Sequence, residues 1–197
     1  MTAPTAFDLF TIGHSNLPVE HFLDLLKNSG VTAVADVRSV PFSRRFPWFS
    51  GNMLAPRLAS AGIAYLAMGD ALGGRPRDPE LFCEGVADYE RMAAVPEFRA
   101  GLDQVGAAAK RSRLCLMCAE REPLDCHRCL LVGRALAERG LKLGHILVDG
   151  TIEPQAATEE RLLARAGERA DLFSDRKVRL SAAYRYRARA VAARRKA

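Results

Sequence analysis

Residues 7–37, FDLFTIGHSNLPVEHFLDLLKNSGVTAVADV, decide the fold class. Phe7 to Ile12 is a short apolar run closed by Gly13, the pattern of a buried strand. From Pro18 to Ser29 the period changes. Val19, Phe22, Leu23, Leu25 and Leu26 recur at helical spacing, and Gly30 supplies the stop. Val31 to Val37 is β-branched and nearly all apolar, as a strand covered on both faces reads. Strand, helix and strand within about 30 residues make a βαβ unit.

The alternation continues outward. Ser39–Gly51 is a loop crowded with Pro41, Pro47 and aromatics, followed by a helix over Leu54–Ala61 and a strand over Ile63–Ala67. After a Gly/Pro-rich loop, Gly69–Pro79, helices are expected over Glu80–Ala93 and Glu97–Ala109, split by Pro96. Arg113–Ala119 reads as a strand, Cys126 or His127 to Arg139 as a helix ended by Gly140, and Lys142–Val148 as a strand. This order predicts a three-layer α/β fold: a mostly parallel central sheet with helices on both faces, Rossmann-like. No internal repeat is visible. Residues 1–165 read as one α/β domain and 166–197 as a basic, helical C-terminal extension.

Composition narrows the class. The chain has 197 residues, 49% hydrophobic and 26% charged, which excludes wholesale disorder and fibrous repeats. No run of about 18 apolar residues could span a bilayer. The N-terminus lacks the basic and apolar regions of a secretory signal, and five cysteines, an odd number, suit a reducing cytoplasm better than a disulfide framework. The net charge of +6 is unevenly spread. Nine of the 29 basic residues fall in 176–197, which has no acid, leaving 20 against all 23 acids in 1–175. The body is mildly acidic and the basic excess sits in the tail.

In parallel α/β sheets, ligands collect beyond the carboxyl ends of the strands. The residues there are Gly13-His14-Ser15-Asn16, Asp36-Val37-Arg38, Cys118-Ala119-Glu120-Arg121, Asp125-Cys126-His127-Arg128 and Asp149-Gly150, with His145 inside the last expected strand. Several motifs among them occur in a familiar order: TIGHS (11–15), DVRSVPFSR (36–44), LGGR (72–75), ADYE (87–90), CAE (118–120), CHR (126–128) and HILVDG (145–150). Over roughly residues 8–165 the chain resembles the bacterial family of domain of unknown function 488. The resemblance implies a small cytoplasmic α/β domain and marks these motif positions without giving them roles.

Three chemistries compete for these residues. The pairs Cys115-x2-Cys118 and Cys126-x2-Cys129 flank His127 at metal-ligand spacing. On a strand, however, Cys115 and Cys118 point to opposite faces, so Cys83, Cys115 and Cys129 read as core. A smaller divalent-metal site would use Cys118, Cys126 and His127, with His14 a further neighbour. Thiol chemistry is the second possibility. A strand ending in Cys118 and a helix opening at Arg128 have the layout of a Cys-loop-Arg anion cradle, and Cys126 sits at the helix start, where a thiol is acidified. The nine-residue separation and glycine-free loop depart from the compact loops of rhodaneses and cysteine phosphatases.

Phosphate recognition is the third and leading reading. Arg38, Arg44 and Arg128 would hold the phosphate, with Ser15, Ser43, Gly73, Gly74 and Tyr89 lining the ligand site. His14, Asp36 and Glu120 would supply acid, base or metal-binding groups, and Cys118, Cys126 and His127 the reactive or structural edge. The interleaved Phe42-Ser43-Arg44-Arg45-Phe46-Pro47-Trp48-Phe49 and the basic tail favour nucleic acid among phosphate-bearing partners, although at least two of those rings are expected to close the core. These residues suit an enzyme or a binding protein equally. An ion-pair network that merely holds the loops is the competing explanation for the arginines.

Overall fold

The apolar run after Phe7 becomes β1 (Leu9–Gly13), buried along its whole length. Helix α1 (Val19–Asn28) follows, burying Val19, Phe22, Leu25 and Leu26, then β2 (Ala33–Asp36). These elements come from a computed structural model that describes residues 7–166 and 175–194. The opening residues 1–6, the 167–174 stretch and the tail's Arg195 and Lys196 lie outside the described residues.

The chain continues through α2 (Gly51–Ser60), β3 (Ala64–Ala67), α3 (Gly69–Leu72), β4 (Phe82–Cys83), β5 (Val86–Ala87), α4 (Tyr89–Ala94), α5 (Pro96–Ala109) and β6 (Leu114–Cys118). A π-helical turn (Arg128–Gly133) leads into α6 (Arg134–Glu138). Then come β7 (Leu143–Ile146), β8 (Ile152–Pro154), α7 (Gln155–Arg165) and α8 (Arg176–Arg194). The central sheet has the order β3-β2-β6-β1-β7-β8. All its pairings are parallel except that of β8, an antiparallel edge strand. This is the three-layer α/β arrangement expected from the alternation of elements.

Strand pleating divides the core into two layers. Along β6, Leu114, Leu116 and Cys118 face the α4, α5 and α8 side, whereas Cys115 and Met117 face α1 and α2. Phe49 is fully buried in the second layer, with Phe46 and Trp48 packed against it, so three rings of the aromatic loop close the core.

Four sequence expectations change. The helix expected over Glu80–Ala93 exists only from Tyr89 onward. Before it the chain forms a 3-10 turn (Pro79–Leu81) and the β4–β5 hairpin, whose Glu84 and Gly85 both take positive φ, 52° and 72°. Asp88 accepts from the Glu90 and Arg91 N–H groups and so begins the helix there. The Gly69–Pro79 loop contains the short α3. The helix expected from Cys126 or His127 to Arg139 does begin at His127, but its opening stretch, Arg128–Gly133, is a π-helical turn. Finally, β8 and α7 occupy residues where no element was expected.

Candidate functional site

β6 lies between β2 and β1, so the carboxyl ends of these three strands sit side by side and deliver Asp36, Cys118 and Gly13-His14 to one edge. A cavity of about 250 Å3 opens there, walled by His14, Arg38, Ser39, Val40, Phe42, Ser43, Arg75, Cys118, Ala119, Glu120 and His127. A larger cleft of about 600 Å3 lies beneath α8, among Leu141, Leu143, Leu180 and Tyr184. It gathers none of the strand-end motif residues, so the chemistry belongs to the smaller cavity.

One wall is built on Asp36. Its carboxylate receives the Arg38 Nε (2.8 Å) and Nη2 (2.5 Å) N–H groups, the Arg38 backbone N–H (3.1 Å) and the Tyr65 hydroxyl (2.7 Å). Arg38 Nη1 also donates to His14 Nε2 at 3.1 Å. His14 Nδ1 lies 2.9 Å from the Ser15 carbonyl and donates to it, which leaves Nε2 as the acceptor Arg38 needs. Burial and the Arg38 charge hold His14 down at about 4, so the ring is neutral at pH 7. Arg38 thus spends three of a guanidinium's five N–H groups on Asp36 and His14, and two remain to serve the cavity it lines.

The floor is a cluster of ligand-type atoms. Cys118 Sγ is 3.1 Å and Cys126 Sγ 2.9 Å from the same Glu120 oxygen, and Cys118 Sγ is 3.5 Å from His127 Nδ1. His127 Nε2 donates to the Val37 carbonyl at 2.8 Å. That bond fixes the ring's orientation and turns Nδ1 toward the sulfurs, the usual second contact of a metal-bound histidine. One donor atom from each of Cys118, Glu120, Cys126 and His127 lies within 4.8 Å of every other. A tetrahedral zinc-type ion, with arms of about 2.0–2.3 Å, sets donor–donor edges of about 3.3–3.8 Å. The donor types and their close grouping suit such an ion once the side chains readjust, the 2.9 Å contact of Cys126 with Glu120 opening by about 0.5 Å or more.

The thiols differ in acidity. Burial, then the bond to Cys126 and the charges of Cys126 and Glu120, push Cys118 well up. Burial also opposes ionisation of Cys126, but the Cys118 thiol, Arg128 and His127 outweigh it and hold Cys126 low. Cys126 and Glu120, at 2.9 Å, cannot both be charged without a proton or a cation between them.

Other expected residues land elsewhere. Arg128 is fully buried and does not reach the cavity. Its fork donates to the Glu120 carbonyl (2.5 Å) and the Arg121 carbonyl (3.0 Å), holding the loop that carries Glu120. Arg44 is exposed beyond the cavity wall, and Tyr89 is buried under α8. Ser15 is spent on backbone geometry, at φ 48° with its carbonyl on His14. Gly73 and Gly74 allow close packing: a Cβ at Gly74 would come within 2.6 Å of the His127 ring, and one at Gly73 within 2.4 Å of Ser39 Oγ. The four-cysteine arrangement does not form. Cys115 faces the opposite layer, and burial pushes Cys129 up to about 12.

A polar chain missed by sequence reasoning runs behind the floor. Arg128 Nε donates to Thr11 Oγ1 (3.4 Å), Thr11 to His145 Nδ1 (2.7 Å), and His145 Nε2 to Gln155 Oε1 (2.7 Å). Gln155 Nε2 donates in turn to the Tyr184 hydroxyl (2.6 Å), and Tyr184 to Glu159 (3.1 Å). Every link points one way, so each strengthens the next. Residues so far apart in sequence gave no local signal. Ser39 was also missed, though it directly follows Arg38; its hydroxyl accepts the Arg75 backbone N–H at 3.0 Å.

No curated protein and no solved structure matches the chain. A family model does match, over residues 18–135, including Asp36, Arg38 and the whole Cys118–His127 floor but stopping short of His14 and His145. The chain belongs to the family described as Domain of unknown function DUF488.

Proposed function

We propose that the strand-end cavity binds a phosphate-bearing ligand over a divalent metal ion held by Cys118, Cys126 and His127, with Glu120 beside it. One observation carries the reading: Cys118, Glu120 and His127, three of the four clustered ligand-type residues, line the same cavity as Arg38, Ser39, Ser43 and Arg75, with Cys126 directly behind them. The two halves depend on each other. The Arg38 charge is matched by Asp36, and the floor carries the Glu120 carboxylate and an acidic thiol, which would repel an anion. A divalent cation reverses the sign of the floor and offers a Lewis-acid position to the ligand. Arg75 adds charge at the rim, and the remaining Arg38 N–H groups orient the phosphate oxygens.

Thiol chemistry draws support from the low Cys126 value. That sulfur, however, is fully buried and off the cavity wall, while Cys118, which faces the ligand, is held protonated. The more reactive sulfur is out of reach, which favours the metal reading.

Zinc-loaded, dialysed protein should retain one ion per chain by elemental analysis. Cys118→Ser/Cys126→Ser should lose it. Calorimetric titration with ribose 5-phosphate should show binding that weakens at least tenfold on chelation and about tenfold in Arg75→Ala, the order of a lost charged hydrogen bond. A metal-free dialysed protein would overturn the metal half. Absence of phosphate-ester binding at low ionic strength would overturn the other.

A further inference from the structure

The loop over the cavity holds one ring unlike the others. Phe46, Trp48 and Phe49 turn into the core, whereas Phe42 is 64% exposed and lines the cavity mouth beside Val40, itself 57% exposed. Phe42 is not on a slack segment. The Pro41 carbonyl accepts the Gly51 N–H at 2.8 Å, Ser43 N–H donates to Ser50 Oγ at 3.1 Å, and Ser43 Oγ accepts the Phe46 N–H at 3.1 Å. Both neighbours of Phe42 are therefore pinned, and a flat apolar face is presented to solvent at small entropic cost to anything that lands on it.

Size gives the second argument. A cavity of about 250 Å3 is below the roughly 300–1,000 Å3 of pockets that enclose a whole drug-sized ligand. It holds a charged head and leaves the rest of the ligand at the mouth, where Phe42 stands. The more buried lining is polar (Arg38, Ser39 and Ser43), whereas the exposed mouth carries Arg75 together with the apolar Val40 and Phe42. The ligand should therefore have a phosphate at one end and a flat face at the other.

We propose that the cavity is the phosphate half of a nucleotide site and that Phe42 is the platform on which the base stacks. This rests on the phosphate reading above and names its substrate class. The nucleotide has two sources, a free mononucleotide or the terminal nucleotide of a strand, and both present the same phosphate, sugar and base. Stacking on an aromatic side chain strengthens binding by about 5- to 150-fold per base.

Zinc-loaded full-length protein titrated with adenosine 5′-monophosphate should bind it about tenfold more tightly than ribose 5-phosphate. Phe42→Ala should bring the nucleotide down to the ribose 5-phosphate value, and Phe42→Trp should restore the difference. A 5′-phosphorylated oligoadenylate that binds at least as well as the mononucleotide supports the strand-terminal source. One that binds much more weakly supports the free nucleotide. Equal binding of the nucleotide and ribose 5-phosphate overturns the base platform and leaves the phosphate site standing. Phenyl phosphate matching the nucleotide overturns the nucleotide class in favour of aryl phosphates. Failure of every phosphate ester to bind overturns both this inference and the reading beneath it.

Discussion

Two histidines show how burial decides a residue's chemistry. His14 stacks on Phe49 with ring centroids 4.2 Å apart, and His145 is fully buried between Thr11 and Gln155. Burial lowers both to about 4, helped by Arg38 for His14 and by Arg128 for His145, against 6.5 in the unfolded chain. The native state thus resists protons that the unfolded state accepts. Stability is full above pH 6.5 and declines as the pH falls from 6.5 toward 4, by up to about 1.4 kcal/mol per pH unit for each histidine. Urea unfolding at pH 7.5 and 5.5 should show the loss, and His145→Gln should have a shallower slope. An unchanged midpoint over that range would contradict the neutral rings. Their motifs were legible in the sequence, but their protonation was not, because it depends on burial and on the charges of Arg38 and Arg128, which the fold alone brings close.

Among the elements, those with clear periodicity were readable and those set by local polar bonds were not. The βαβ opening, β6 and α5 follow from apolar spacing alone. The 80–88 segment misled because Leu81, Phe82 and Val86 suit helical spacing, whereas the Glu84-Gly85 turn and the Asp88 cap decide the outcome. Asp88→Ala should therefore destabilise the protein by about 1 kcal/mol, seen as a shift in the urea midpoint. A shift below about 0.3 kcal/mol would mean that α4 is held by its packing alone. The π-helical turn at Arg128 was equally hidden. It sends Arg128 under the loop, so an arginine that reads as a ligand residue from its sequence position serves as an internal strut.

At the scale of the molecule, the basic tail from Arg176 to Arg194 is a packed helix. Ala183, Tyr184, Ala188, Val191 and Ala192 of α8 are buried in the main core, with Tyr184 only 2% exposed. Its charges meet the acidic body: Arg176 pairs with Glu159 and Glu160, Arg185 with Glu90, Arg187 and Arg194 with Asp125, and Arg189 with Glu84. Such exposed pairs are individually weak and are screened by salt, but they occupy arginines that a nucleic acid would need. Tyr184→Phe, which removes the hydroxyl between Gln155 and Glu159, should cost about 1–3 kcal/mol by urea unfolding. Full stability in that variant would show the polar chain to be dispensable. The charge split between body and tail was plain in the sequence. That the two halves answer each other required knowing where α8 lies.

The strand order carries a consequence for how the chain is made. β1 and β2 leave the ribosome before β6, yet they never touch, because the place between them belongs to β6. Until β6 has been synthesised the nascent sheet has a gap at its centre, and the carboxyl ends that will carry His14 and Asp36 have nothing to set their spacing. The strand that fills the gap also brings Cys118. Vectorial synthesis therefore cannot produce half a site: frame and floor arrive in one step.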